Sequence, residues 1–85
     1  MKATINRKLF LDQALPIAKA NDVSLMLHAG VFSVASFGNN INFRVPAYVI
    51  EPGQTFLTAD EWQDLVMNVK AKKEPVFELD MDNGQ

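Results

Sequence analysis

The chain has 85 residues, no cysteine, 48% hydrophobic and 21% charged residues, and a net charge of −2 with a pI near 5.1. That excludes a disordered chain, a disulfide framework and a Cys-based zinc site. It also excludes the general basic footprint of a nucleic-acid binder, so any phosphate-binding patch has to be local. One domain, residues 1–85, fits this length, and a domain this small buries only roughly 60–65% of its unfolded surface, so a partner or self-association is expected from size alone. No run approaches the ~18 apolar residues of a membrane span, and the first residues lack a signal-peptide core. The expectation is a cytoplasmic protein.

In chain order, Lys2 to Ile5 alternates as a short strand, with Ala3 and Ile5 on one face. Asn6 is a good N-cap, and a helix is predicted from Arg7 to about Ala20. At 100° per residue Phe10, Leu11, Ala14, Leu15, Ile17 and Ala18 share one face, with Lys8, Asp12 and Lys19 on an outer stripe. Pro16 removes a hydrogen bond from this helix and predicts a bend between Asp12 and Pro16. Val23 to His28 alternates. Val31 to Phe37 is apolar on both faces, as a central strand would be. Gly38-Asn39-Asn40 turns the chain into a strand marked by Ile41, Phe43 and Val45, which Pro46 ends or offsets. Tyr48 to Glu51 extends again, Pro52-Gly53 turns, and Thr55 to Leu57 is a brief strand. Thr58-Ala59-Asp60-Glu61 is a capping box. It opens a second helix over Ala59 to Ala71 with Trp62, Leu65, Val66 and Val69 inward. Val76 to Asp82 alternates as a last strand running into the hairpin-type turn Asp82-Asn83-Gly84. The predicted order is β-α-β-β-β-β-α-β, an α+β domain whose two helices pack on one face of a mostly antiparallel sheet.

No catalytic or metal constellation stands out. His28, the one histidine, sits at a strand end beside a turn and reads as a solvated side chain rather than a catalyst. Ser24, Ser33 and Ser36 lack any elbow motif. Asp80-Met81-Asp82-Asn83-Gly84 resembles the start of a calcium loop but has no Glu at the twelfth position, so strand and turn account for it better. Trp62 and Tyr48 are candidate stacking platforms for bases; Trp62 lies on the apolar helix face and reads as core, whereas Tyr48 stays open. The cations form the more interesting set. Arg7, Lys8 and Lys19 belong to the first helix, and Lys70, Lys72 and Lys73 cluster at the end of the second. They read either as a loose phosphate-contacting array or as lysines favoured by a helix C-terminus. Asp60, Glu61 and Asp64 on the second helix argue against phosphate.

The opening MKATINRKLFLDQAL resembles the first strand and helix of bacterial DNA polymerase sliding clamps (the β subunit of the replicative polymerase), which commonly begin Met-Lys-Phe-Thr-Ile ahead of a Leu-rich helix. QTFLTADEWQDLVMNVKAKKEPVFELDMDNG is similar to the second half of a clamp domain, where a short strand enters a helix and a "Val-x-Leu-x-Leu-Asp"-type strand closes at an Asn-Gly or Asp-Gly turn. The resemblance implies a clamp-like fold with its helices facing duplex DNA. It thereby assigns DNA contact to Arg7, Lys8, Lys19, Lys70, Lys72 and Lys73. Three departures stand against it. The basic, proline-containing stretch usual after the first helix is replaced by Ala20-Asn21-Asp22. The Asp usual after the third strand is replaced by Phe37-Gly38-Asn39. The chain covers one domain without the strands that follow the last turn in clamps, and without the domain that carries their peptide pocket.

The resemblance therefore implies a non-catalytic, sliding-clamp-like protein of DNA replication, oligomeric and without cofactor or metal. The alternative is a small phage- or plasmid-type interaction module that binds protein, or another copy of itself, through an exposed sheet edge and does not touch DNA. An enzyme is not expected.

Overall fold

The computed structural model describes residues 1–18, 25–38 and 42–82. Along them run β1 (Lys2–Asn6), α1 (Arg7–Ala18), β2 (Leu25–Ala29), β3 (Ser33–Phe37), β4 (Phe43–Glu51), β5 (Gly53–Leu57), α2 (Ala59–Ala71) and β6 (Val76–Asp80). The α+β class and the order β-α-β-β-β-β-α-β are those expected from the sequence. Every strand pairing is antiparallel, and the strands lie in the order β5-β2-β3-β4-β1-β6. The first part of the predicted β2, Val23 and Ser24, falls outside the described residues, as do Lys19, Ala20, Ile41 and the turn residues Asn83 and Gly84.

Both helices start where their caps predict. The Leu9 N–H donates to Asn6 Oδ1 at 3.0 Å, which satisfies one of the donors that an α-helix leaves free in its first turn. At α2 the Glu61 N–H donates to Thr58 Oγ1 (3.2 Å) and the Thr58 N–H donates back to Glu61 Oε1 (3.0 Å), closing the capping box. α1 continues past Pro16 to Ala18. Pro16 and Asp12, whose carbonyl loses its intrahelical partner, are both exposed, so water can replace the missing bond.

The apolar stripes of the two helices meet on one face of the sheet. Phe10 of α1 is completely buried and touches three elements: Trp62 of α2 at 5.9 Å between ring centroids, Phe43 of β4 at 6.0 Å and Phe77 of β6 at 5.1 Å, all edge to face. Ala3, Ile5, Leu25, Leu27, Val34, Val45, Leu57 and Leu79 complete the core from the strands, and Val66 and Val69 from α2. Edge-to-face aromatic pairs of this kind contribute about 0.5–1.5 kcal/mol each beyond their buried area, so Phe10 ties the helix layer to both halves of the sheet.

The layer has to curl. One rung of the ladder runs Gly53–Ala29–Val34–Val45 across β5, β2, β3 and β4. Three strand spacings put Gly53 about 14 Å from Val45 in a flat sheet. From Val45, β4 runs six residues further to Glu51, which is separated from Gly53 by Pro52 alone and so lies within about 7 Å of it. Only a strand that bends back can satisfy both distances. β4 does so where it changes partner: Phe43–Pro46 pair with β3, and Ala47 onward pairs with β1. Pro46 therefore does not end the strand, contrary to one of the two outcomes expected for it; it marks the hand-over, after which the Ala47 N–H donates to the Phe32 carbonyl at 2.9 Å. A register shift between Lys2 and Ala3 opposite the end of β4 adds to the bend.

A second difference concerns Val31 and Phe32. Both were expected in the central strand, but they sit in the β2–β3 turn closed by the Gly30 N–H on the Ser33 carbonyl (3.0 Å), and they are 72% and 80% exposed. The pairing of Ala29 with Val34 fixes the hairpin and leaves them outside it.

Candidate functional site

The start of α1 lies against the end of α2, and the geometry follows from Arg7. Its guanidinium donates from Nε to the Val69 carbonyl (3.1 Å) and from Nη2 to the Lys70 carbonyl (2.7 Å), while its backbone N–H donates to the Pro75 carbonyl (3.0 Å). The last carbonyls of a helix have no intrahelical donor and carry its negative partial charge, so a planar cation that reaches two of them is held firmly. This contact draws Arg7 and Lys8, in the first turn of α1, toward Lys70, Lys72 and Lys73 at the end of α2. A cleft at this end has Arg7, Lys8 and Lys73 on its wall together with Glu74. A neighbouring one is lined by Lys72 and Lys73, again with Glu74.

Five of the six cations singled out in the sequence thus share one end of the helix layer; Lys19 lies outside the described residues. Lys8, Lys70, Lys72 and Lys73 are exposed. Arg7 is half-buried and committed to the carbonyls of α2, so it acts as the organiser of the cluster. The acids of α2 are less of an obstacle than the sequence implied. Asp60 and Glu61 occupy its first turn. At 1.5 Å per residue, Asp60 is about 15 Å along the axis from Lys70, beyond the ~8 Å screening length at physiological salt, whereas Asp64 is only about 9 Å from it and still opposes an anion. Glu74, on the wall of both clefts, and Glu78, on the wall of the second, are nearby carboxylates that oppose an anion here. Glu61 has its carboxyl held below the usual carboxylate range by the Thr58 backbone N–H and then by the Thr58 hydroxyl.

The helix-free face of the sheet holds residues that the sequence did not point to. Along β5, β2, β3 and the first half of β4, the strand alternation turns outward Gln54 and Phe56, Met26 and His28, Ser33, Ala35 and Phe37, and Arg44 and Pro46. None of these is a carboxylate, although the chain has ten Asp and Glu residues. The register sorts them into rungs. Phe56, Met26 and Phe37 form one; Gln54, His28, Ala35 and Arg44 form the next. His28 leans edge-on against Phe37 with ring centroids 6.4 Å apart. Among the described residues Arg44 has no ion-pair partner, while its backbone carbonyl accepts from Gln13 Nε2 at 3.0 Å. The other half of the face is different in charge: Lys2 pairs with Glu78 at 3.7 Å, and Glu51 and Asp80 are exposed near it.

The remaining candidates resolve as follows. Trp62 is fully buried among Phe10 and Phe43 and takes no part in a surface. Tyr48 is 74% exposed on the outer face of β4. Asp80 ends β6, and the next residue, Met81, pairs with Met1 in both directions at 2.9 Å, so this segment is held as an extended chain over its described part. Among the described residues no three His, Asp or Glu side chains come together as a metal site would require. No helix among them is long and apolar enough to cross a membrane. Comparison with protein families, curated proteins and solved structures finds no match to this chain.

Proposed function

We propose that the protein is a non-catalytic, sliding-clamp-like component of cytoplasmic DNA replication, working as an oligomer and touching duplex DNA through the helix layer. The observation that supports this reading is the gathering of Lys8, Lys70, Lys72 and Lys73, arranged by Arg7, at one end of two helices that share a face of a curled sheet. Lysines in a loose array suit phosphate contacts, which fix a protein on a duplex without reading its sequence. Lys19, which lies outside the described residues, belongs to the same reading.

The test is filter binding of duplex DNA at low and moderate salt. With about four phosphates neutralised, affinity should fall roughly a hundredfold or more between about 50 and about 200 mM salt. Lys72→Glu with Lys73→Glu should abolish binding and leave the thermal melt unchanged. A second reading has its own observation: among the described residues β5 and β6 each pair on one side only, which leaves a strand edge open for a protein partner or a second copy. Failure of the wild-type protein to bind duplex DNA even at low salt would leave that reading standing and remove the first.

A further inference from the structure

We propose that the helix-free face of β5, β2, β3 and the first half of β4 is a binding platform for single-stranded nucleic acid, with bases stacked on Phe37 and Phe56 and the phosphate backbone met by Arg44 and His28. The proposal is independent of the helix-layer reading, because it uses the opposite face of the sheet and none of the same residues.

Three observations carry it. The first is spacing. Phe56 and Phe37 flank Met26 on one rung, two strand spacings or about 10 Å apart, within reach of neighbouring nucleotides in an unstacked strand. Bases stack on exposed aromatic rings whatever their identity, and open sheets that present aromatics on one face bind single strands in this way. The second is charge. The next rung, about 7 Å along the strands, offers His28 and Arg44, which has no ion-pair partner among the described residues. No outward residue of this half is acidic, in a protein that is acidic as a whole. A polyanion therefore meets no carboxylate on the outward positions of these strands, in contrast to the Glu78 and Asp80 side of the same sheet. The third is room: a groove of about 360 Å³ has Phe37, Ala35 and Arg44 on its wall and reaches past the β3–β4 pair to Gln13 of α1.

Phe37 and Phe56 are 49% and 58% exposed. For side chains that bury about 200 Å² when covered, the two rings together offer on the order of 200 Å². Two stacked bases need little more than two such ring faces.

The experiment is fluorescence anisotropy of a fluorescein-labelled oligothymidine with the full chain at low salt. Binding is expected. Phe37→Ala and Phe56→Ala should each weaken it about tenfold, Phe37→Tyr should retain it, and Arg44→Glu should weaken it and flatten its salt dependence. Both phenylalanines are exposed, so these variants should keep the wild-type circular dichroism. The unaltered protein supplies a second readout: an abasic strand of equal length should bind distinctly more weakly, because it lacks anything to stack. In a Lys72→Glu with Lys73→Glu background the weakening by Phe37→Ala and Phe56→Ala, and the preference over the abasic strand, should persist, which keeps failure here distinct from failure of the duplex reading. The proposal is overturned by absence of oligothymidine binding at low salt, by equal affinity for the abasic strand, or by indifference to both alanine substitutions. It is also overturned if the two substitutions instead abolish a concentration-dependent dimer seen by light scattering, which would make the face a protein interface.

Discussion

Trp62→Phe tests the core more sharply than any surface change. Trp62 is fully buried, 5.9 Å from the Phe10 ring and 5.8 Å from the Phe43 ring, and its indole Nε1 has no acceptor among the described residues. Removing the pyrrole edge forfeits roughly two to three methylene equivalents of burial at about 0.8 kcal/mol each, so about 2 kcal/mol. The void adds about 24 cal/mol per Å³ that neighbours do not fill. Against this, the same change deletes a buried donor whose desolvation is uncompensated, which costs the wild type about 1–3 kcal/mol. The two nearly cancel, and Trp62→Phe should stay within about 1.5 kcal/mol of wild type. Trp62→Ala has no such offset beyond the same donor and should lose about 3–5 kcal/mol. For 85 residues the total is only roughly 4–13 kcal/mol, so the alanine variant should be partly unfolded at physiological temperature. Urea unfolding followed by far-ultraviolet circular dichroism measures both, since Trp62 is the one tryptophan and its fluorescence disappears with it. A loss above about 3 kcal/mol for Trp62→Phe would refute the reasoning, because it would mean that the indole N–H is hydrogen-bonded.

Two further predictions concern the helix ends. Thr58→Ala removes the Oγ1 half of the capping box, leaving the backbone N–H of residue 58 to donate to Glu61, and should cost about 1 kcal/mol in the same assay. The folded-state carboxyl of Glu61 is lowered from 4.5 by the Thr58 backbone N–H and hydroxyl. Its stabilisation is therefore complete above the unfolded value and lost as pH falls through the folded one. The melting-temperature advantage of wild type over Glu61→Gln should accordingly shrink below about pH 4.5; an advantage that does not change from pH 6 to about pH 3 would contradict the assignment. Arg7→Met keeps the aliphatic stem but leaves the Val69 and Lys70 carbonyls without the guanidinium, and should lose about 1.5–3 kcal/mol. Arg7→Lys should recover only part of that, since an ammonium cannot reproduce the fork; full recovery would show that charge alone matters there.

Elements governed by neighbours in the chain were legible in the sequence. The capping box at Thr58, the Asn6 cap and the inward stripes led by Phe10 and Trp62 depend on residues three or four apart, and each was read correctly. What depends on distant pairing was not. That β5 lies beside β2, and β6 beside β1, is a long-range fact that alternation within one strand does not contain. Phe37 and Phe56 look like unrelated apolar residues until the register puts Met26 between them. Val31 and Phe32 misled because their β-branched and aromatic character suits a strand, while the hairpin register made them turn residues. Lys70, Lys72 and Lys73 were visible as a cluster, but their meeting with Lys8 required Arg7 to reach the end of α2.

The adjacency of β1 and β6 has a consequence for how the chain acquires its shape in the cell. Lys2–Asn6 is made well before one of its two neighbours, Val76–Asp80, which lies 70 or more positions later in the sequence. At about 5–20 residues per second, the nascent segment waits several seconds with an incomplete ladder while the β2–β3 hairpin already has both its strands. The half of the sheet built on β1 is thus completed later than that hairpin and stays open to chaperones and proteases for longer.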